Sequence, residues 1–243
     1  MNWFQSLKDQ FHLNFIQGNK WKWLVDGLGK TMLITLLSLL IGIVIGVVIA
    51  TIRSTYDKNK EMLSLHKGFK YYVMRGLDLF CRLYLTVIRG TPVVVQLMIM
   101  YFIILASSNN SVLVAVIAFG INSGAYVAEI VRGGIMSIDN GQFEAGRSMG
   151  FNYVQTMIYI IIPQVFKSVL PTLCNEFIVL FKETSVAGYV GIMDLTKAGE
   201  LIRSRTYSAF MPLIAVALIY LVFVVILTKL VSRLERRLRK NER

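Results

Sequence analysis

The sequence predicts an all-α integral membrane protein with about five membrane-crossing helices, and three observations carry that reading. Of its 243 residues 55% are hydrophobic and only 16% charged, well short of the roughly one quarter that soluble domains carry. The apolar residues are gathered into uncharged runs long enough to cross a bilayer. The basic residues, 26 Lys and Arg against 14 Asp and Glu, collect between those runs.

Residues 31–52 form the first run, 22 residues without a charge between Lys30 and Arg53. As a helix it spans about 33 Å, enough for the hydrocarbon core. A cleaved signal peptide is the competing reading, but the run is too long and lacks a small-residue cleavage site before Arg53. The next uncharged stretch, residues 90–128, is too long for one crossing and is broken by Ser107-Ser108-Asn109-Asn110-Ser111. It reads as two helices, 83–106 and 112–131, joined by a tight hairpin. A fourth, 161–181, contains Pro163, Lys167, Pro171 and Glu176 and is the least lipid-like. The fifth, 209–228, is uncharged.

Upstream, Trp3, Phe4, Leu7, Phe11 and Phe15 recur at helical spacing, and all three tryptophans precede the first run. An amphipathic leader over residues 1–23 is expected to lie on the outer leaflet as an anchor. The membrane domain then covers 24–230 and a basic tail 231–243. No internal repeat is evident.

With five crossings the termini lie on opposite sides. Segments 53–89, 132–156 and 229–243 hold 17 Lys and Arg, whereas 1–30 and 182–205 hold 8. The richer set belongs in the cytoplasm, which puts the amino terminus outside and the carboxyl terminus inside. The net charge of +12 then serves anionic lipid headgroups, and nucleic acid is not needed as a partner.

Several chemistries are disfavoured. Cys81 and Cys174 are too few for a disulfide framework or a four-ligand zinc site, and His12 and His66 stand alone. Gly29-Lys30-Thr31 looks like the end of a phosphate loop, but Leu24 stands where its first glycine belongs. The chain is expected not to hydrolyse nucleotide by itself. Gly42 and Gly46 have the spacing that lets membrane helices approach closely, a packing signal only.

The sharper signal is Ser137-Ile138-Asp139-Asn140-Gly141-Gln142-Phe143-Glu144-Ala145-Gly146-Arg147-Ser148-Met149-Gly150. It reads as a short amphipathic helix capped at its start by Asp139 or Asn140 and ended by Gly150 in the left-handed conformation. A second short helix leads on to Pro163. A helical hairpin over 137–156 on the cytoplasmic face reads as a docking knob, the alternative being a solvated loop.

Glu144-Ala145-Gly146, Gly150 and Ile162-Pro163 together resemble the EAA motif of permease subunits of ABC importers, with Gly146 where alanine is usual. Arg89-Gly90-Thr91-Pro92-Val93-Val94-Val95-Gln96, and Asn175-Glu176-Phe177 with Lys182-Glu183-Thr184-Ser185, are similar to signatures of the polar amino-acid importer permeases. The resemblance implies the type I importer permease fold and a role in moving polar or charged amino acids by alternating access. It also implies that Glu144, Ala145, Gly146 and Gly150 couple the chain to a separate ATPase. The implied partners are an ATPase dimer, an extracellular or periplasmic substrate-binding protein, and a second copy or sister permease, in a bacterial cytoplasmic membrane. No cofactor is implied on this chain; ATP and Mg belong to the ATPase.

Polar groups inside the membrane are costly, so each is a candidate. Asn122, Tyr126 and Glu129 fall on one helical face at i, i+4 and i+7, with Ser123 beside them and Arg132 placed to pair with Glu129. Asn175 and Glu176 lie in the fourth helix. These six, Arg132 aside, form the expected substrate-binding set, with a structural Glu129–Arg132 ion pair as the alternative for Glu129. Pro92 is expected to kink the second helix. A self-sufficient secondary transporter and a membrane enzyme are the rival classes; the first calls for an inverted repeat, the second for a convergent catalytic cluster.

Overall fold

The computed structural model describes residues 3–65 and 68–240. His66, Lys67 and the outermost residues of the leader and tail lie outside that set. The described elements are α1 (Trp3–Phe11), α2 (Trp21–Leu65), α3 (Phe69–Gly90), α4 (Val93–Ile99), α5 (Ser111–Met136), α6 (Asn140–Ser148), α7 (Tyr153–Thr156), α8 (Ile162–Glu183), α9 (Leu195–Thr206) and α10 (Phe210–Lys240). Among the described residues there is no strand. Four helical segments, 21–60, 111–136, 153–190 and 210–238, are long and apolar enough to cross a membrane, or five if the broken pair α3 and α4 counts as one.

Two helices differ from the sequence expectation in length. The first is 45 residues long; between Gly46 and Gly68 no Gly or Pro interrupts it. The fifth runs through most of the basic tail to Lys240. The second expected helix, 83–106, is corrected to two: Thr91 and Pro92 are extended at φ −122° and −64°. Proline lacks the N–H and forces its predecessor out of the helical region, so the chain breaks there instead of bending. The new helix restarts on Pro92, whose carbonyl accepts from the Val95 and Gln96 N–H groups.

The helices divide into two compact units. The first, residues 1–38, 92–119 and 177–230, has a core of Phe15, Leu24, Leu195, Ala198, Ile202 and Val216. Here the leader is more than a surface anchor. Asn14 is fully buried, accepting a 2.7 Å hydrogen bond from Thr206, and Phe15 enters the core while Phe11 and Ile16 stay exposed. Thr31 accepts from the Leu195 N–H at 3.1 Å. A Cβ on Gly27 would stand 2.7 Å from the Asp194 carbonyl oxygen, so only glycine lets α2 meet this turn.

The second unit, residues 39–91, 120–176 and 231–243, is centred on Ala50, Val127, Val131, Ile135, Phe143, Met157, Ile161, Val165 and Val169. A Cβ on Gly42 would lie 3.0 Å from Ser123 Oγ, and one on Gly46 2.5 Å from a Val127 methyl. The Gly42–Gly46 pair therefore seats α2 directly on α5, as its spacing predicts.

Candidate functional site

The expected polar residues fall in the second unit, on α5 and on the part of α8 that precedes Phe177. Ser123 is fully buried and donates a 3.0 Å hydrogen bond to Glu176 Oε1. Glu176 is itself 8% exposed and Asn122 3%. A buried carboxylate needs such partners, since an uncompensated charge in hydrocarbon costs about 3 kcal/mol on insertion scales. Asn175 is exposed, so neighbours in sequence take opposite environments on one helix.

Tyr126 and Glu129 meet a different set of groups. The Arg89 guanidinium lies over the Tyr126 ring, 5.7 Å from its centroid, and 3.9 Å from Glu129. Arg53 Nη1 donates to Glu129 at 2.9 Å. The expected Glu129–Arg132 pairing is therefore corrected: Arg132 turns to Asp57 at 2.9 Å. Both partners, Arg53 and Asp57, come from α2, and an ion pair held across two helices fixes their packing as an i, i+3 pair on one helix does not.

The sequence reading passed over the rest of this network. Arg53 also lies 3.6 Å from Asp78, which accepts a 2.7 Å hydrogen bond from Arg82. Arg53 and Asp78 are 9% and 4% exposed. The signal for it is Asp78 itself, a lone acid in the amphipathic stretch 69–90. An open hollow of about 500 Å³ beside the network is lined by Arg53, Arg82, Thr86, Arg89 and Glu129.

The hairpin has the expected helices and caps. Asp139, of the two candidates, caps α6 by accepting from the Gly141 N–H at 2.6 Å. Gly150 stands at φ +82°, and the Phe151 N–H closes the turn on the Gly146 carbonyl at 3.0 Å. Asn152 and Gln155 then form a reciprocal capping box at α7. Phe143 and Gly146 are buried, whereas Glu144, Ala145 and Arg147 are exposed. Gly146 also explains its departure from alanine: a Cβ there would stand 2.7 Å from both Oγ1 and Cγ2 of Thr156. The glycine is a close-packing requirement between α6 and α7.

Helices throughout the described residues, several of them of bilayer length, a buried hydroxyl–carboxylate pair and an exposed two-helix knob define a multi-pass membrane transport component. Residues 42–240 match the family model described as binding-protein-dependent transport system inner membrane component. A putative glutamine transport system permease protein of Rickettsia bellii is 36% identical over 68% of this chain and 77% of its own length. An arginine transport system permease protein of Bacillus subtilis is 41% identical over 65% and 74%. A crystal structure of an amino acid ABC transporter with histidines matches 98% of this chain and 99% of its own at 35% identity and a TM-score of 0.77. The chain belongs to the family of binding-protein-dependent transport system inner membrane components, and is a permease subunit of the ABC importer type.

Proposed function

We propose that this permease imports polar or charged amino acids, which a binding protein delivers from outside, and that α6 docks on a separate ATPase dimer. The observation that carries the coupling role is the division of α6 into a buried face, Phe143 and Gly146, and an exposed face, Glu144 and Ala145. A nine-residue helix anchored on one side and bare on the other is built to transmit force to a partner. Gly150, at the turn, keeps the two short helices at a fixed angle.

The amino-acid reading is supported by the glutamine and arginine permeases among the relatives and by the polar groups of α5 and α8. Glu176, oriented by Ser123, suits an ammonium or guanidinium; Asn122 and Asn175 supply donors for a carboxylate. Tyr126 and Glu129, engaged by Arg89 and Arg53, lie toward the cytoplasmic end and border the path. The amino terminus faces outward and the carboxyl terminus the cytoplasm. A second permease, a copy or a sister chain, completes the cavity within the lipid. The functional division places the leader at 1–23, the membrane domain at 24–230, with its coupling loop at 137–156, and the basic tail at 231–243.

ATP and Mg are assigned to the partner. On this chain Gly29-Lys30-Thr31 lies inside the continuous helix α2, so its N–H groups serve the helix and form no phosphate cradle. Copurification with the cognate ATPase, followed by ATP hydrolysis assays with the matched binding protein and a panel of amino acids, tests the reading. Stimulation by polar or charged amino acids is expected. Absence of any ATPase complex, or stimulation by unrelated solutes alone, overturns it.

A further inference from the structure

The cytoplasmic extension of α2 has chemistry that neither the resemblance nor the family role assigns. One turn of it makes three separate contacts with other helices of its unit. Thr55 Oγ1 accepts from the Tyr153 hydroxyl at 3.4 Å, Asp57 holds Arg132, and Lys58 Nζ donates to Asn140 Oδ1 at 2.6 Å. Lys58 Nζ also lies 4.6 Å from the centroid of the Phe143 ring. One ammonium thus grips the first residue of α6 and the ring that α6 buries, combining a hydrogen bond from a charged donor with a cation–π contact.

We infer that Lys58 is a positioning residue for coupling: it fastens α6 to the end of α2, so that α2 moves as one rod between the knob and the buried Ser123–Glu176 pair. The other end of the rod is Gly42, whose backbone abuts Ser123 so closely that a Cβ would stand 3.0 Å from its hydroxyl. Lys58 stands sixteen positions beyond Gly42 on the helix, about 24 Å. No glycine or proline lies between Gly46 and Lys58 to absorb a displacement. An unbroken helix with a fixed contact at each end is a physical route for coupling, and the network of arginines at Arg53 and Arg132 keeps its neighbours in register.

This inference rests on the reading of α6 as the ATPase-docking helix. The test uses the full complex in lipid with its ATPase and binding protein, comparing Lys58→Met, which keeps the stem and loses both contacts, with Lys58→Arg, which retains a cation and donors. Asn140→Ala removes the acceptor and leaves α2 intact. A spin label at Ser148→Cys, in a background lacking Cys81 and Cys174, reports the order of α6. Lys58→Met is expected to keep the yield of complex, to mobilise the label and to lower binding-protein-stimulated ATP hydrolysis about tenfold, the scale of one charge-assisted hydrogen bond. Lys58→Arg restores both signals and Asn140→Ala falls between.

Normal stimulation and an ordered label in Lys58→Met overturn the proposal, as does a Lys58→Arg complex that assembles but behaves like Lys58→Met. Variants at Glu144 and Gly150 separate this from the underlying reading. If they lose docking while Lys58→Met couples normally, the rod is wrong and the docking helix stands; if they too leave docking unchanged, the docking reading falls.

Discussion

Ser123 on α5 and Glu176 on α8 are joined by a 3.0 Å hydrogen bond between two buried side chains. They lie 53 positions apart in the sequence, with the whole α6–α7 knob between them. The same pair therefore ties together the helices on either side of the α6–α7 hairpin and gives the buried carboxylate a donor.

Removing the pair's chemistry should affect transport before assembly. Ser123→Ala strips Glu176 of a donor at a cost of about 1.5–3 kcal/mol, and Glu176→Gln removes the charge while keeping the shape. Glu176→Gln and Asn122→Ala are expected to weaken uptake far more than complex yield. Uptake kinetics alongside size-exclusion yield check this, and unchanged transport by both variants would make the cluster purely structural.

The two glycines of the knob should fail for different reasons. In Gly146→Ala the new methyl meets Thr156 at 2.7 Å, which displaces α6 from α7 at about 1–3 kcal/mol. Thr156→Ala in the same chain relieves most of that clash. Gly150→Ala has open space around its Cβ but carries the left-handed strain of φ +82°, about 1–2 kcal/mol, and no second-site change relieves it. Binding of the ATPase to each variant, with and without Thr156→Ala, distinguishes the two mechanisms.

Arg53 holds Glu129 and faces the buried Asp78. Arg53→Met leaves one carboxylate at 4% exposure with Arg82, half-exposed, as its remaining ion-pair partner among the described residues, so a loss near the lower end of the range for a broken buried pair is expected, about 3 kcal/mol. Asp78→Leu added to Arg53→Met should recover part of it. Thermal unfolding in detergent measures both.

Asp194 gives a pH dependence outside the membrane-spanning segments. It is fully buried, and burial pushes its carboxyl up to about 6 from an ordinary value of 3.8 even though the Thr196 and Lys197 N–H groups pull the other way. A folded value above the unfolded one favours the protonated chain. The contribution is therefore fully present below about pH 4 and lost as pH rises through 6, a change of about 3 kcal/mol. Asp194→Asn keeps the cap on α9 and should flatten this slope. Thermal unfolding of the two proteins between pH 4 and 7 compares them.

Much of this architecture is legible in the chain because charge-free runs and prolines act locally. The knob was readable from Asp139, Gly150 and Pro163, since caps and left-handed turns are specified by the residue that occupies them. The buried Glu176 was readable because a carboxylate in an apolar run needs a reason. Pairings between distant residues were not readable. Arg132 lies three positions from Glu129, yet selects Asp57, because the choice depends on how α2 packs against α5. That packing is set by Gly42 and Gly46 rather than by any charge. Asn14 and Phe15 were hidden for the same reason, their partners Thr206 and Leu195 lying far along the chain. Gly146 was legible as a departure, and its cause became visible only with Thr156 beside it.

The most direct test of the account is uptake by the complete complex in proteoliposomes, with the binding protein and ATP on opposite sides of the membrane and Glu176→Gln run beside the unaltered chain. Uptake of a polar or charged amino acid that requires both ATP and binding protein is expected, with a selective loss of cationic over neutral solute in Glu176→Gln if the solute is bound through its side-chain charge. Uptake that proceeds without ATP or without the binding protein would contradict it.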